Sequence, residues 1–474
     1  IWGMDVARYG EWATLRYTNA KVRENYSRRF SIRFPNEELP AARPQQTTPL
    51  YDVMVRDNNA VMGDSWGLET PLWFAPKGEE AKDIVSFHRS NDFPAIAREV
   101  KQTRESVGVT ETSNFAKYEV TGDGAEAFLN HLMTNSMPKT GRIVLTPMLN
   151  ENGKIIGDFT IAKRAEGAFL IWGSIAAQKY HMRWFEKHLP KDGSVAIRRF
   201  GINLVGLSVV GPNSRKVLQK LTDADCSNEA FKFMDIREID VNGAPAIVNR
   251  LTYAGDLGYE LWMEPAYQRK IYEGIKAAGE EFGIVDFGMR ALLSMRLEKN
   301  FPTWFRELRP IYNAFEGGME RWVKMSKNDF IGRAAAAKQL EEGGGKLRRV
   351  SFIVDAADAD VMGDEPIWAK TTTDYGTVDK PHGYGAPRFD ASGKQTPRNP
   401  DTGIERDGWR VVGWVTSGGY AHYVEKSMAQ GYVPKELALD ESDGLFEIEI
   451  LGVRRKARIN VEAPFDPKGE RMRG

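Results

Sequence analysis

Residues 150–164 read NENGKIIGDFTIAKR and predict a β-hairpin whose returning strand carries one acidic side chain. Asn-Glu-Asn-Gly is typical of a tight turn, and the segment from Lys154 to Ala162 is rich in isoleucine and phenylalanine. Asp158 is the one carboxylate within that apolar segment. Such a group is either paired within the fold or kept available for chemistry, and the hairpin alone leaves both interpretations open.

The composition of the whole chain is that of a globular protein. Its 474 residues predict roughly two to four domains of about 100 to 200 residues each. Hydrophobic residues make up 42% and charged residues 27%, which argues against global disorder. Lys plus Arg and Asp plus Glu both number 65, so no overall electrostatic field favours nucleic acid or a membrane surface. We therefore expect neither as a partner.

Cysteine usage and hydropathy give an expectation for the compartment. The single cysteine, Cys226, excludes an internal disulfide and fits a reducing environment. No run approaches 18 apolar residues, and no signal peptide is visible. We expect a cytoplasmic or mitochondrial-matrix protein. Because the opening IWGMDVARYGEW starts in the middle of a pattern, we also expect a processed or partial product.

The order of secondary-structure patterns predicts an α+β protein in three parts. Residues 1–75 are irregular, with a helix near Tyr9–Tyr26 and an extended, proline-containing stretch after it. In residues 76–345, strand and helix patterns alternate without a fixed repeat. Residues 346–474 are nearly all strand and predict a small β-barrel or sandwich. A polar stretch at 369–408 predicts a long surface loop inserted into that last domain.

Familiar nucleotide and metal motifs fail here. TGDGAEAF at 121–128 matches Gly-x-Gly-x-x-Ala, but Asp123 and Glu126 would lie where a pyrophosphate must bind. The six histidines show no metal-ligand spacing, so we expect no metal site. No serine lies in a nucleophile elbow. Because the dinucleotide match at 121–128 is rejected, the chain shows no flavin-binding fingerprint of its own.

A second suggestive stretch is LTYAGDLGYELWM at 251–263. Its glycines predict a tight connection between strands, with Tyr253, Asp256, Tyr259 and Glu260 around it. An aromatic surface with one carboxylate suits a flat heterocycle that carries adjacent N–H donors, because a carboxylate accepts two such bonds side by side. The alternative is a hairpin whose polar side chains face solvent. The residues alone do not decide between the two.

Five ordered motifs together resemble a known family. They are TPMLNENGKIIGDFTIAK, LTYAGDLGYELW, FGMRALLSMRLEK, FEGGMERWVKMSKNDFIGR and GWVTSGGYAHYVEKSMAQGYVP. They resemble the glycine-cleavage T-protein (aminomethyltransferase) superfamily. RRFSIRFPNEELPAARPQQTTPLYD and SNFAKYEVTG are similar to the tetrahydrofolate-binding half of dimethylglycine and sarcosine dehydrogenase-like proteins. The resemblance covers nearly the whole chain except residues 369–408.

The resemblance assigns roles to particular residues. It implies that Asp158 is the folate-side catalytic carboxylate, and its apolar setting is expected to raise its pKa. Tyr253 and Glu260 would hold the pterin, with Tyr259 beside them in the same motif. Arg290 is expected near the folate. An acidic neighbour that many family members carry just before the catalytic aspartate is Gly157 here, and a tyrosine that some place in the strand before the hairpin is Leu145.

The resemblance also implies a fold and a reaction. The fold would be a three-domain cloverleaf around a central folate channel, with a C-terminal β-barrel. The reaction would capture the methyl-derived carbon of an N-methyl amine as 5,10-methylenetetrahydrofolate. FAD would be bound by an absent N-terminal module or a partner chain. Residues 1–75 resemble the end of such a flavin module, and the first 50 look like its tail. Two alternatives remain: a free-standing folate-dependent aminomethyltransferase or demethylase, and a non-catalytic folate-binding protein.

Overall fold

The computed structural model describes residue 6, residues 9–378, residues 405 and 406, and residues 408–474. Most of the insertion predicted at 369–408 therefore lies outside the described residues, and the predicted domain limits stay predictions. Within the described ranges, no helix combines the length and the apolar character needed to cross a membrane.

The described helices and strands alternate along the first two thirds of the chain, as the sequence predicts. The α-helices are α1 (Leu15–Ser27), α2 (Phe93–Glu105), α3 (Ala125–Leu132), α4 (Gln178–His188), α5 (Ser214–Gln219), α6 (Pro265–Gly279), α7 (Met289–Glu298), α8 (Arg333–Glu341) and α9 (Glu470–Arg473). The strands up to the last helix-rich region are β1 (Ala60–Ser65), β2 (Leu68–Phe74), β3 (Gly108–Glu111), β4 (Phe115–Thr121), β5 (Ile143–Leu149), β6 (Ile155–Ala165), β7 (Ala168–Ser174), β8 (Ala196–Arg199), β9 (Val205–Val210), β10 (Ile236–Val241), β11 (Ala244–Asn249), β12 (Gly258–Met263) and β13 (Val285–Asp286). The remaining strands are β14 (Leu347–Val354), β15 (Pro366–Ala369), β16 (Glu405–Arg406), β17 (Trp409–Ala421), β18 (Lys426–Pro434), β19 (Phe446–Ile450) and β20 (Val453–Ile459).

Two large sheets form most of the body that precedes the barrel, and β1 and β2 pair as a separate two-stranded sheet. The five-stranded sheet has the order β5-β6-β7-β4-β8, and the six-stranded sheet has the order β10-β11-β12-β9-β3-β13. Each of these two large sheets buries one face under helices. Phe128 and Leu129 of α3 and Phe185 of α4 cover the first sheet, and Ile271 and Ile275 of α6 cover the second. The α+β prediction is confirmed.

The hairpin predicted at 150–164 is present as β5 and β6. The two strands pair antiparallel, and Asn150 closes the turn by bonding Lys154 through both its backbone and its side chain. Gly153 has φ +70°, a left-handed conformation that glycine adopts without strain. The turn chemistry read from the sequence therefore corresponds to the observed turn.

The C-terminal strands close into a six-stranded barrel. The strands pair around the ring in the order β15-β19-β20-β14-β18-β17, and β17 pairs back to β15. β16 extends this ring by pairing with the edge of β17. Phe352, Ile367, Val415 and Phe446 pack inside. The predicted C-terminal β-barrel is confirmed, whereas the cloverleaf and its central folate channel stay predictions.

A buried ion pair joins the helices of the body to the barrel and the C-terminal segment. Arg104 of α2 donates to Glu298 of α7 at 2.9 and 3.0 Å, and both side chains are fully buried. Glu298 also accepts the backbone N–H of Tyr423, in the β17–β18 connection, at 2.8 Å. The guanidinium stacks on Phe465 at 3.8 Å. Removing Arg104 would leave Glu298 buried without a cation among the described residues, and removing Glu298 would leave Arg104 with only the longer ion pair to Asp256, at 3.4 Å.

We expect Glu298→Ala to lower the free energy of unfolding by about 3–5 kcal/mol, because it leaves the buried Arg104 charge without its main partner. The matched control is Lys101→Ala, which removes an exposed ion pair of the same helix, Lys101 with Glu425 at 2.6 Å. That variant should lose less than about 1 kcal/mol. Urea unfolding followed by tryptophan fluorescence measures both, and equal losses would contradict the structural role of the buried pair.

Candidate functional site

Asp158 points into the space between the two sheets. A β-bulge in the pairing of β6 with β5 comes just before it and interrupts the alternation of the strand. From Asp158 onward, alternate side chains face the six-stranded sheet: Ala162 packs between the sheets, and Arg164 bonds Glu238 of β10 at 2.6 Å. Asp158 shares that face because it lies an even number of residues before both.

Asp158 is not paired with another side chain of the described residues. Burial raises the pKa of its carboxyl from 3.8 to about 6, and only its own backbone N–H opposes that shift. No other described residue donates a hydrogen bond to it. The side chain nonetheless keeps part of its surface open. Dense surroundings with an open surface are the properties of a carboxylate that borders an internal space.

Glu260 reaches the same inter-sheet space from the opposite side. Side chains of β12 alternate, so Tyr259 and Leu261 enter the core under α6 while Glu260 and Trp262 face the five-stranded sheet. Glu260 is buried, with 7% of its surface exposed. Burial alone raises the pKa of its carboxyl from 4.5 to about 8. It is a second carboxylate with no hydrogen-bond donor among the described side chains.

Two tryptophans pack against each other between the sheets. Their positions on the strands show where Asp158 and Glu260 lie relative to this packing. Trp172 of β7 and Trp262 have ring centroids 5.7 Å apart. Gly206 lies opposite Trp262 in β9, and a Cβ at that position would stand 2.6 Å from the indole ring, so only glycine fits there. Trp172 is paired with Thr160, two residues after Asp158, and Trp262 comes two residues after Glu260. Both carboxylates therefore border the tryptophan pair.

A large cleft between the sheets does not include Asp158 or Glu260, each of which precedes the cleft residues on its own strand. This cleft, of about 860 Å³, opens between Arg164 and Arg198 on one side and Trp262 and Tyr267 on the other. In the part of the chain that the structure describes, no cluster of His, Cys, Asp and Glu could hold a metal ion.

Tyr253 lies near Asp158, in the connection between β11 and β12. The charge of Asp158 is one of the causes that raise the pKa of the Tyr253 phenol to about 12, after the larger effect of burial. The phenol donates to the carbonyl of Pro302 at 2.7 Å and contacts the hydroxyl of Thr303 at 2.8 Å. Its hydroxyl is thus already bonded within the fold, and its ring is the part left to contact a ligand.

The other two predicted residues do not join this group. Tyr259 faces the core on the opposite side of β12, 5.6 Å from the ring of Phe231, so we leave it out of the site. Arg290 bonds Asp83 through two nitrogens and Asp92 through one, all at 2.8 Å. Its charge is compensated within the protein, and its place near a folate stays a prediction. The structure thus places Asp158 near Tyr253, and strand alternation turns Glu260 toward the sheet that carries Asp158.

Sequence analysis missed the polar neighbours of Glu260 on adjacent strands. Asn249, Ser208 and Thr110 continue the row from Glu260 onto β11, β9 and β3, in direct register. All three are buried, with 0%, 4% and 7% of their surfaces exposed. The available signal was a polar residue within each mostly apolar strand, which is also what a buried serine or threonine of no function shows.

Comparison with family models covers almost the whole chain. Residues 50–327 match the GCVT N-terminal domain, and residues 388–466 match the glycine cleavage T-protein C-terminal barrel domain. Residues 1–48 match the FAD dependent oxidoreductase central domain.

Similar proteins include enzymes and a regulatory subunit. Mitochondrial dimethylglycine dehydrogenase of Mus musculus is 35% identical over 97% of this chain and 48% of its own length. The mitochondrial pyruvate dehydrogenase phosphatase regulatory subunit of Mus musculus is 28% identical over 97% of this chain and 51% of its own length. The chain therefore spans about half the length of these curated relatives. The structure of the glycine cleavage system aminomethyltransferase T from Bartonella henselae superposes with a TM-score of 0.67 at 20% identity, covering 89% of this chain and 98% of that one, which shows the fold.

Glu260→Gln should change how stability depends on pH. Because the pKa of Glu260 is raised to about 8, the folded protein holds a proton between roughly pH 4.5 and 8 that the unfolded chain has lost. The part of the free energy of unfolding that depends on Glu260 therefore has its full value below about pH 4.5 and is lost as the pH rises through about 8. The wild type should therefore lose melting temperature relative to Glu260→Gln across the window.

Thermal melts of the ligand-free protein from about pH 5 to 9 measure this difference. Glu80→Gln, which changes an exposed glutamate, is the control and should follow the wild type. Parallel curves for Glu260→Gln and wild type would show that Glu260 is ionised in the folded protein at neutral pH.

Proposed function

The chain belongs to the glycine-cleavage T-protein family, and from that membership we propose that it binds tetrahydrofolate and transfers a one-carbon unit to it. One observation carries the proposal: Asp158 and Glu260 enter one inter-sheet space from two sheets, and neither has a side-chain partner among the described residues. Buried carboxylates are normally paired, because an isolated buried charge is costly. Two that are left unpaired at the same place are typical of a site completed by a ligand.

The residues present fit a reduced folate. Glu260 offers two carboxylate oxygens in a buried setting, which suits a pterin edge with two adjacent N–H donors. The ring of Tyr253, which lies near Asp158, supplies flat surface for the pterin. Tetrahydrofolate supplies the nitrogen that takes up the one-carbon unit. Because the pKa of Glu260 is raised to about 8, folate binding should be linked to loss of its proton.

Asp158 has the properties of a general base for that transfer. With its pKa raised to about 6, the carboxyl is largely ionised at neutral pH and still basic enough to accept a proton. In the proposed step it takes the proton that the folate nitrogen loses as the new bond to carbon forms.

We further propose that the one-carbon unit comes from an N-methyl amine of the dimethylglycine or sarcosine type, and that the product is 5,10-methylenetetrahydrofolate. Two findings support this source. The chain is 35% identical to mitochondrial dimethylglycine dehydrogenase of Mus musculus, and residues 1–48 match an FAD dependent oxidoreductase domain model. FAD would then be bound outside this chain, in a flavin module or a partner subunit that oxidises the amine.

We expect Glu260→Gln to weaken the binding of a reduced folate by about 10- to 100-fold, because the amide replaces one acceptor oxygen with a donor. Isothermal titration calorimetry with 5-formyltetrahydrofolate measures the affinity. Glu80→Gln serves as the control on the exposed surface. Unchanged affinity in Glu260→Gln would remove this side chain from the folate site.

We expect Asp158→Asn to slow methylene transfer by about 100-fold or more while folate still binds within a few-fold of wild type, because the amide keeps the shape but cannot accept the proton. The assay supplies a flavin-dependent demethylase acting on dimethylglycine or sarcosine and measures methylenetetrahydrofolate. Formaldehyde should accumulate in its place, and flavin reduction should be nearly unchanged.

The same assay separates catalysis from stability. If Asp158→Asn lowers the melting temperature sharply but transfers at the wild-type rate per folded molecule, the base assignment is wrong. If the wild type binds folate and catalyses no transfer with either amine, a binding or regulatory role replaces the enzymatic one.

A further inference from the structure

Four polar side chains form a row across the six-stranded sheet, and no contact within the described structure explains why they are polar. Asn249, Glu260, Ser208 and Thr110 occupy matching positions on four neighbouring strands and face the same inter-sheet space. None of the four side chains makes a hydrogen bond to another described residue. Both polar atoms of the Asn249 amide are buried without a partner. Buried polar groups are nearly always satisfied, so the unsatisfied Asn249 amide, beside three side chains that also lack a protein partner, indicates a missing partner.

The partner must lie on the side where the row is open. Asn249 is fully buried, while Glu260 and Ser208 keep 7% and 4% of their surfaces exposed. Side chains directly opposite one another on neighbouring strands have Cβ atoms about 4.5–5.5 Å apart. Asn249 is therefore the neighbour of the Glu260 carboxylate on the closed side, and Ser208 is its neighbour on the open side.

The chemistry of the row defines the ligand edge that fits it. A carboxylate accepts two adjacent N–H donors, and a hydroxyl beside it can donate to an acceptor. The complementary edge is donor, donor, acceptor, as in a 2-amino-4-oxopyrimidine ring. In that ring the amino group and the carbonyl flank one ring N–H, so the edge is comparable in width to the spacing of neighbouring strands, about 4.8 Å.

We propose that Ser208 is a further ligand-binding residue of the folate site, whose hydroxyl donates to the ring carbonyl next to the N–H groups accepted by Glu260. This inference rests on the proposed folate function. Glu260 and Ser208 would then form the hydrogen bonds to the polar edge of the pterin. Asp158 would accept the proton of the folate nitrogen that takes up the one-carbon unit.

The test compares the affinity of tetrahydrofolate for wild type and three variants by anaerobic titration calorimetry. Ser208→Ala removes the hydroxyl and should weaken binding by about 3- to 10-fold. Ser208→Thr keeps a hydroxyl and should retain affinity within about 3-fold of wild type. The matched control is Ser351→Ala, which removes a buried hydroxyl from β14 of the barrel, outside the row, and should bind as wild type does.

The remaining outcomes overturn the inference or separate it from the proposed function. If Ser208→Ala binds like the wild type, or Ser208→Thr is as weak as Ser208→Ala, the hydroxyl does not contact the ligand. Guanosine carries the same donor, donor, acceptor edge and provides a second arm. If wild type binds guanosine with the expected loss in Ser208→Ala but does not bind tetrahydrofolate, Ser208 reads the edge and the folate function is wrong. Binding of neither ligand overturns both.

Discussion

The packing of Trp172 against Trp262 holds the five-stranded and six-stranded sheets face to face. Large aromatic side chains bury 150–250 Å² each, so a pair of them sets the spacing between the layers more firmly than smaller residues would. Gly206 allows the close approach, because any side chain there would displace the indole of Trp262. The space beside this pair is the one that Asp158 and Glu260 border. The candidate site is thus a consequence of how two sheets pack, and no single sheet contains it.

Among the described residues, Asp158 and Glu260 differ from the other buried carboxylates in having no hydrogen-bond donor from another residue, since even Glu99, which forms no ion pair there, accepts two backbone N–H groups. Arg104 with Glu298 and Arg296 with Glu307 are buried pairs whose charges compensate each other. Arg290, which the sequence had assigned to the folate, is held by two aspartates in the same manner. Asp158 and Glu260 lack such partners, and burial raises the pKa of each. Unpaired carboxylates cost stability, and a ligand that donates hydrogen bonds to them would restore it.

The two raised pKa values suit different tasks. A carboxyl with a pKa of about 6 is ionised at neutral pH and can take a proton during a reaction. One with a pKa of about 8 holds its proton until a ligand with N–H donors displaces it. The proposed division of work therefore follows from environment, since both groups are ordinary carboxylates. Asp158 is the less enclosed of the two, and Glu260 lies deeper between strands on both sides.

The sequence by itself determined the local elements and the family. Turn residues at 150–153 and the apolar strand after them correspond to the β5–β6 hairpin, and the strand-rich end of the chain closes into the barrel. These features depend on neighbours along the chain, which a single sequence contains. It also located Asp158, Tyr253 and Glu260, through ordered motifs. Only the tertiary structure showed that Tyr259 faces away, that Arg290 is neutralised by Asp83 and Asp92, and that Asn249 and Ser208 flank Glu260. Those facts depend on strand register and on residues far apart in sequence, because a pleated strand turns neighbouring side chains to opposite faces and packing decides which face meets a ligand.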